Sequence, residues 1–397
     1  MKKIRHLIFL KDVLVLSLTS FGGPTAHVAL FFKILVQKRA YLSEAELLEL
    51  NSFCQILPGP ASTQTLTAVG FKIGGPRLAF LTLLVWILPA AAFMTFAAIL
   101  VGSVLSGDIN LTFLQYMEPI ALGFILYAVY KTINIINKTL ISYVIVAISA
   151  VLCFFIKTPW MFPIILLVAG SFTSLNFGKH PKQEKTSFQI RYANLILYVA
   201  IFVGAALLGL ILDSKPIRLF ENFFRNGSLI FGGGQALIGY FYIEFVQFKK
   251  LLTSDEFLTG YAMLQSLPGP VFTFASYIGS LSLREYGLMG QILGGIIGSL
   301  GVFLPGTILI FFIAPIWQHI KQYRVVKASF EGINAGNAGI IIATALNIFW
   351  PMLSLPSSDL MIQIAIVFIT AGVLIFTKIP HPILVLLGGL AGFLMAM

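Results

Sequence analysis

The chain has 397 residues, 58% of them apolar and only 10% charged, with a mean hydropathy of +0.94. Water-soluble folds of this length do not sustain that balance, so a polytopic membrane protein is expected. The net charge of +11 is dispersed through short loops with no basic globular stretch to gather it, which argues against nucleic acid as a partner and for cytoplasmic Lys and Arg flanking membrane segments.

In chain order the predicted segments run 7–33, 46–69, 78–105, 112–130, 140–157 and 159–175. A polar, Lys-rich stretch at 176–191 and one further apolar segment at 192–212 follow. The second half repeats the pattern at 218–247, 257–279, 287–315, 327–350, 360–377 and 380–397. Apolar runs of about 20 residues with short connections read as helices crossing a core of roughly 30 Å, not as the alternating strands of a barrel. The predicted fold class is therefore all-α. No charged leader with a short apolar stretch and a cleavage site precedes the first segment, so the N-terminus is read as retained. Cys54 and Cys153 lie in apolar segments with neither disulfide nor zinc spacing and read as small apolar residues.

The chain is an internal duplication. Gln55, Leu57, Pro58, Gly59 and Pro60 recur 210 positions later as Gln265, Leu267, Pro268, Gly269 and Pro270. At the same spacing Phe21-Gly22-Gly23-Pro24 is answered by Phe231-Gly232-Gly233-Gly234, and Ala26 by Ala236. The expected organisation is a first repeat at 1–178, a basic linker with a connecting transmembrane helix at 179–215, and a second repeat at 216–397. An even number of crossings per repeat plus one connecting crossing would turn the second repeat upside down, as in many secondary transporters. Loop charges agree. Between the third and fourth segments the first repeat has Asp108 and no Lys or Arg, whereas the second has Lys321, Arg324 and Lys327; between the fourth and fifth, Lys131 and Lys138 face a stretch at 347–354 with neither. With the N-terminus and linker in the cytoplasm, 18 of the 26 Lys and Arg fall inside and 8 outside. Lys33, Lys38 and Arg39 fall on the wrong side, as they would if the first two segments of a repeat form a re-entrant pair.

Proline lacks an amide hydrogen and glycine has no side-chain restraint, so each motif places helix breaks inside apolar sequence, where irregular backbone is tolerated only when it is buried in protein or lines a cavity. A helix restarting after Pro60 or Pro270 presents unpaired N–H groups and the positive end of its dipole. Two such ends from inverted repeats make an expected anion site, supplied by backbone and helped by Ser62, Thr63, Gln64 and Thr273. The Phe-Gly-Gly turns at Gly22, Gly23, Gly232 and Gly233 would add a second pair of backbone turns. Gln55, Gln235 and Gln265 would each donate an amide hydrogen to the anion, or merely join neighbouring helices. His27 is a packing residue with one hydrogen bond or a proton relay. Arg225 and Glu244 are candidates for coupling or charge compensation, since ionisable groups within a span are costly; the alternative is that they snorkel to an interface. The bland reading of every Gly and Pro here is close packing and kinking of membrane helices. Asp12, beside Lys11, carries little weight. No metal-ligand cluster, nucleotide-binding glycine pattern or activated nucleophile is present, so neither an enzyme nor an ATP-driven pump is expected, and no cofactor.

Residues 21–27 (Phe-Gly-Gly-Pro-Thr-Ala-His), 57–64 (Leu-Pro-Gly-Pro-Ala-Ser-Thr-Gln), 231–235 and 267–270, with the Leu88-Pro89 and Leu304-Pro305 pairs, resemble the signatures of the chromate ion transporter family in its long-chain, two-domain form. The resemblance covers nearly the whole chain. It implies a bacterial inner-membrane exporter of chromate, with sulfate as a chemical relative, conferring chromate resistance in some members. Two departures stand out. The acidic residue expected before a Phe-Val pair is present as Glu244 in the second repeat, but the first has Ile34-Leu35-Val36, and a Trp common before the second segment is Tyr41. The leading expectation is outward transport of a tetrahedral oxyanion by alternating access. The alternatives are an uptake or exchange carrier for sulfate or a related anion, and a membrane-embedded enzyme or lipid-phosphate translocase. Expected partners are the oxyanion, the lipid bilayer and, left open, a second copy of the chain in a homodimer.

Overall fold

In the computed structural model of the chain the described residues are 2–105, 116–176, 178, 192–231, 234–313, 323–354, 356–377 and 379–396. The helices in chain order are α1 (Lys2–Thr19), α2 (Gly23–Phe31), α3 (Glu44–Ile56), α4 (Ala61–Leu105), α5 (Met117–Ile135), α6 (Leu140–Phe155), α7 (Met161–Ser174) and α8 (Ala193–Ile211). They continue as α9 (Lys215–Leu229), α10 (Gln235–Phe241), α11 (Ser254–Gln265), α12 (Phe274–Ser282), α13 (Gly287–Ile313), α14 (Arg324–Met352), α15 (Ser357–Phe376) and α16 (His381–Ala396). Two compact units share these elements, each drawing on both halves of the sequence: Met1–Ser103, Arg191–Gly234 and Ser266–Pro315 form one; Val104–Ile190, Gln235–Gln265 and Ile316–Met397 form the other.

Several predicted segments are interrupted. The segment at 7–33 breaks after Thr19, where Gly22 and Gly23 take φ of 91° and 78°, a left-handed conformation that glycine adopts without steric cost. Pro24 then starts α2, its missing N–H harmless in a first turn; α2 runs on as a π-helical stretch, Phe32–Lys38. The chain returns beside α1. Arg39 Nη2 and Tyr41 Oη donate to the Asp12 carboxylate at 3.0 and 2.9 Å, and the Phe9 and Tyr41 rings meet edge to face at 5.3 Å. Burial and the Asp12 carboxylate push the Tyr41 hydroxyl up to about 12. Asp12, given little weight from sequence, closes this hairpin.

A second hairpin follows in the same unit. Ser43 and Glu46 form a reciprocal capping box that starts α3, satisfying two of its orphan amides. The helix ends at Leu57, Gly59 turns the chain at φ 110°, and α4 leads back until Lys72 pairs with Glu46. Thr65 Oγ1 donates to Asn51 Oδ1 at 3.4 Å as an inner rung. The α3 arm has 13 residues, and the returning arm ends where Gly74 and Gly75 leave helical geometry. At 1.5 Å per residue each arm spans about 20 Å, short of a bilayer core of roughly 30 Å. A Cβ on Gly74 would stand 2.9 Å from the His6 ring of α1, so the mouth of this hairpin lies beside the start of α1. Beyond the kink α4 continues through Pro89, merging what the sequence reads as 46–69 and 78–105.

The same unit holds the matching pieces of the second half. Lys215 at the start of α9 pairs with Glu285 at 2.9 Å, next to Gly287, whose φ of 67° answers the 74° of Gly75. α12 and α13 pack backbone to backbone: a Cβ on Gly294 would lie 2.1 Å from the Gly279 carbonyl oxygen, and one on Gly298 2.0 Å from that of Ala275. Small residues permit such an approach, the main source of helix association where lipid is as apolar as leucine.

In the other unit α14 is the spine. Its Gly332 and Gly336 face Ala169 and Ile165 of α7, and Gly339 faces Val146 of α6. Tyr240 of α10 donates to Asn337 of α14 at 3.1 Å and its ring packs on Phe162 with centroids 4.2 Å apart. α10 also runs into a π-helical stretch, Tyr242–Phe248.

The duplication is written in the backbone as well as in the motifs. The π-helical stretches 32–38 and 242–248, the positive φ of Ala40 and Lys250, and that of Gly59 and Gly269 all recur 210 positions apart. So do the capping pairs Ser43 with Glu46 and Thr253 with Glu256. Among the described residues α8 has no counterpart in the first half. Among the described residues five helical stretches, Ala61–Gly102, Ala193–Ile211, Arg284–Ile313, Arg324–Met352 and Asp359–Phe376, are long and apolar enough to cross a membrane. The protein is an all-α polytopic membrane protein of two homologous repeats with helices broken at the Gly and Pro motifs.

Candidate anion site

The two repeats are tied together by a reciprocal pair of backbone hydrogen bonds. The Gly59 amide donates to the Ile230 carbonyl at 2.7 Å, and the Gly269 amide donates to the Ser20 carbonyl at 2.9 Å. Ser20 and Ile230 each immediately precede a Phe-Gly-Gly motif in the sequence, so each Leu-Pro-Gly-Pro turn docks on the residue that leads into that motif in the other repeat. The reciprocity extends to the two helices that carry an internal proline. A Cβ on Gly59 would lie 3.5 Å from Gly306 Cα, just after Pro305, and one on Gly269 would lie 3.0 Å from Ala90 Cβ, just after Pro89. Within each repeat the helix before the break also rests on the proline-bearing helix: Ser17 Oγ donates to the Trp86 carbonyl at 2.8 Å, and a Cβ on Gly227 would come 2.5 Å from the Val302 carbonyl oxygen.

This geometry redistributes the amides that the sequence offers to an anion. Those of Gly59 and Gly269 serve the interlock. The Gln64 amide donates to the Pro60 carbonyl at 2.9 Å, which leaves Ala61, Ser62 and Thr63 in the first turn of α4 without an intrahelical acceptor. In the second repeat Val271–Thr273 is a single 3-10 turn, closed by the Thr273 amide and hydroxyl on the Pro270 carbonyl at 3.0 and 2.8 Å.

The side chains around the α4 end form one buried network. His27 Nδ1 lies 3.0 Å from Ser62 Oγ. Its ring stands edge to face on Trp86 at 5.3 Å, and Trp86 Nε1 donates to Thr63 Oγ1 at 3.0 Å. Gln64 Nε2 donates to the Pro58 carbonyl at 2.7 Å, bracing the turn. Among the described residues three buried polar atoms here find no hydrogen-bond partner: Ser20 Oγ, His27 Nε2 and Gln64 Oε1. In an apolar setting each would cost about 1–3 kcal/mol if left unsatisfied.

Of the residues expected from sequence, Gly22, Gly23, His27, Pro58, Gly59, Ser62, Thr63, Gln64, Pro268, Gly269 and Thr273 belong to this one unit. Gln55 is on an exposed face of α3. Gln265 belongs to the other unit, its Oε1 3.2 Å from His381 Nδ1. Arg225, in the same unit as the network, is paired along its own helix, Nε with Glu221 Oε1 at 3.0 Å and Nη2 with Asn222 Oδ1 at 3.2 Å. Glu244 is fully buried, with Lys249 Nζ at 3.7 Å. Gly232 and Gly233 lie outside the described residues, as does the side chain of Gln235. Sequence reasoning missed Ser17, Ser20 and Trp86. Their one signal was position, since Ser20 adjoins a marked turn and Trp86 precedes a marked Leu-Pro pair. Among the described residues no group of three His, Cys, Asp or Glu is placed to hold a metal.

Broken helices, an interlocked pair of repeats and long apolar spans define the class: a polytopic membrane transporter. The model of the chromate transporter family matches residues 7–174 and 217–393, and the chain belongs to that family, which comprises membrane transporters and not enzymes. An uncharacterized transporter of Methanocaldococcus jannaschii is 25% identical over 96% of this chain and 92% of its own. A probable chromate transport protein of Synechococcus elongatus is 24% identical over 96% and 93%, and a chromate transport protein of Pseudomonas aeruginosa 23% identical over 83% and 78%. No solved structure matches the chain.

Proposed function

We propose that the protein carries a tetrahedral oxyanion, chromate, outward across a bacterial inner membrane, by alternating access of inverted repeats at 1–178 and 216–397 joined through 179–215. The observation that carries this reading is the reciprocal Gly59–Ile230 and Gly269–Ser20 interlock. It gathers both helix restarts and both proline-bearing helices within one unit, so a rocking of one repeat against the other would work directly on the amide-lined end of α4. Chromate enters from the names of the Synechococcus and Pseudomonas relatives. The outward direction follows from energetics. A dianion leaving a cell that is negative inside gains about 4.6 kcal/mol per 100 mV, twice the roughly 2.3 of a single charge. In vesicles containing the purified protein, an inside-negative potential is expected to drive chromate out, with excess sulfate competing weakly. Equal competition by sulfate would favour a general sulfate-type exchanger, and absence of chromate flux in either direction would refute the reading.

The short arms of the α3–α4 hairpin support a re-entrant arrangement in which α1 and α2, then α3 and the first part of α4, dip in from one side. Lys33, Lys38 and Arg39 then join the cytoplasmic charges. Single cysteines at Ser43 and at Lys72, introduced into a chain lacking Cys54 and Cys153, are expected to react with an impermeant thiol reagent from the cytoplasmic side only. Reaction from opposite sides would exclude re-entrance.

A further inference from the structure

α8 stands outside the duplication. Its outward face is apolar, with Ile196, Val203, Leu207 and Leu210 exposed, which suits a helix set against lipid; its inner side is small, Ala205 and Gly209 being buried. Between α8, α9 and α13, all of one unit, runs an open furrow of about 530 Å³, lined by Gly204 and Leu208 of α8, Pro216 and Ile217 of α9, and Leu293 and Ile297 of α13. A Cβ on Gly204 would meet nothing within 4 Å, so the three helices leave a gap that their own side chains do not fill. An apolar gap of this kind is suited to an apolar occupant.

One end of the furrow is charged. Pro216 and Ile217 belong to the first turn of α9, between Lys215 and Arg218. Lys215 Nζ pairs with Glu285 Oε1 at 2.9 Å, and Arg218 Nη2 with Asp213 Oδ1 at 2.6 Å. Arg218 Nε also donates to the Gly209 carbonyl at 2.9 Å, which holds the guanidinium against α8 next to Leu208. The Arg218 side chain is half exposed and that of Asp213 is 80% exposed; exposed pairs of this kind are weak and exchange partners readily. With Arg284 next to Glu285, the rim carries three cations and two carboxylates, an excess of one positive charge. The helix end adds to it. Ser214 makes no side-chain cap, and the Arg218 amide donates to the Ser214 carbonyl at 3.0 Å, which leaves the amides of Lys215 and Ile217 at the positive end of the α9 dipole without an intrahelical acceptor.

Charged rim and apolar floor are continuous, because one helical turn supplies residues to both. A free anion would use the rim alone. The apolar face of α8 from a second copy would cover the floor and leave the rim unmatched. An amphiphile with a negative head matches both. We propose that the furrow holds an acyl chain of one anionic phospholipid, whose phosphate sits at the start of α9 between Lys215 and Arg218. The site is independent of which anion is transported. α9 ends beside the Ile230 carbonyl that receives the Gly59 amide, and α13 brings Gly306 against Gly59, so the lipid braces two helices of the interlock.

The test is native mass spectrometry of the full chain, purified in detergent and offered equal amounts of phosphatidylglycerol and phosphatidylcholine with identical chains. Wild type is expected to retain one phosphatidylglycerol, preferred about 5-fold or more over phosphatidylcholine, the contribution of one basic side chain near an anionic lipid. Gly204→Leu, whose first added carbon meets nothing within 4 Å, fills the furrow and is expected to retain lipid about 10-fold less, the loss of roughly two buried methylenes. Lys215→Gln is expected to reduce the headgroup preference while the chain still binds. Equal retention of the two lipids by wild type, or undiminished retention in Gly204→Leu, overturns the proposal. A lipid-free dimer that Gly204→Leu dissolves overturns it too, assigning the furrow to a second copy. Unchanged preference in Lys215→Gln confines that side chain to its Glu285 pair and overturns the headgroup contact. Should Gly204→Leu not fold, the wild-type preference still decides.

Discussion

Gly59→Val and Gly269→Val, each made singly, are expected to reduce chromate flux by about 10-fold or more while leaving the protein in the membrane. Both glycines sit at φ near 110°, where a β-branched residue is strained by about 1–3 kcal/mol. Both also lack room. At Gly59 the first added carbon meets Gln64 Nε2 at 2.9 Å, and at Gly269 it meets Ala90 Cβ at 3.0 Å. Relief would require the turn to rotate, which withdraws the amide from Ile230 or Ser20 and shifts the helix start with it. Gly75→Ala separates strain from contact, because Gly75 also has positive φ but nothing within 4 Å of its Cβ position. Flux in Gly75→Ala should stay within about 5-fold of wild type, the factor that strain of about 1 kcal/mol alone can produce. Wild-type flux in both valine variants would remove the interlock from the transport cycle.

What the sequence disclosed about this fold is the part encoded in residues with no substitute. Gly59, Gly269, Pro58 and Pro268 mark conformations that other residues resist, so the breaks and the repeat were legible. Segment lengths were less so. The stretch 46–69 is continuously apolar enough to read as one crossing, yet Leu57–Pro60 folds it back, and the Glu46–Lys72 pair that closes the hairpin joins residues with no shared motif. The π-helical stretches at 32–38 and 242–248 left no trace in composition, since they are set by hydrogen-bond register and not by residue type. At the site, His27, Ser62, Thr63 and Gln64 were found because they adjoin the turns. Trp86 was not, because an indole in an apolar helix reads as lipid-facing bulk until its N–H is seen on Thr63. Gln55 shows the opposite error: motif membership suggested a ligand, but its helical phase turns it outward, half a turn from the buried Cys54 and Phe53 side of α3.

Gly294→Leu and Gly298→Leu are expected to prevent accumulation of folded, monodisperse protein altogether. Their added carbons would lie 2.1 and 2.0 Å from carbonyl oxygens of α12, and these acceptors are backbone, which cannot swing aside as a side chain does. Even alanine should be poorly tolerated at either position, costing at least the 1–3 kcal/mol typical of overpacking. Separation of α12 from α13 would carry the second Leu-Pro-Gly-Pro turn away from Ala90 and Ser20, so the damage would reach the interlock from about two helical turns away. Gly372→Ala is the control: nothing stands within 4 Å of its Cβ position, and an alanine within a helix should hold or raise stability by about 0.5–1 kcal/mol. Thermal melts in detergent followed by size exclusion would register the contrast. Near-native behaviour of Gly294→Leu would mean that α12 can part from α13 without losing the fold, and the interlock would then need another anchor than this contact.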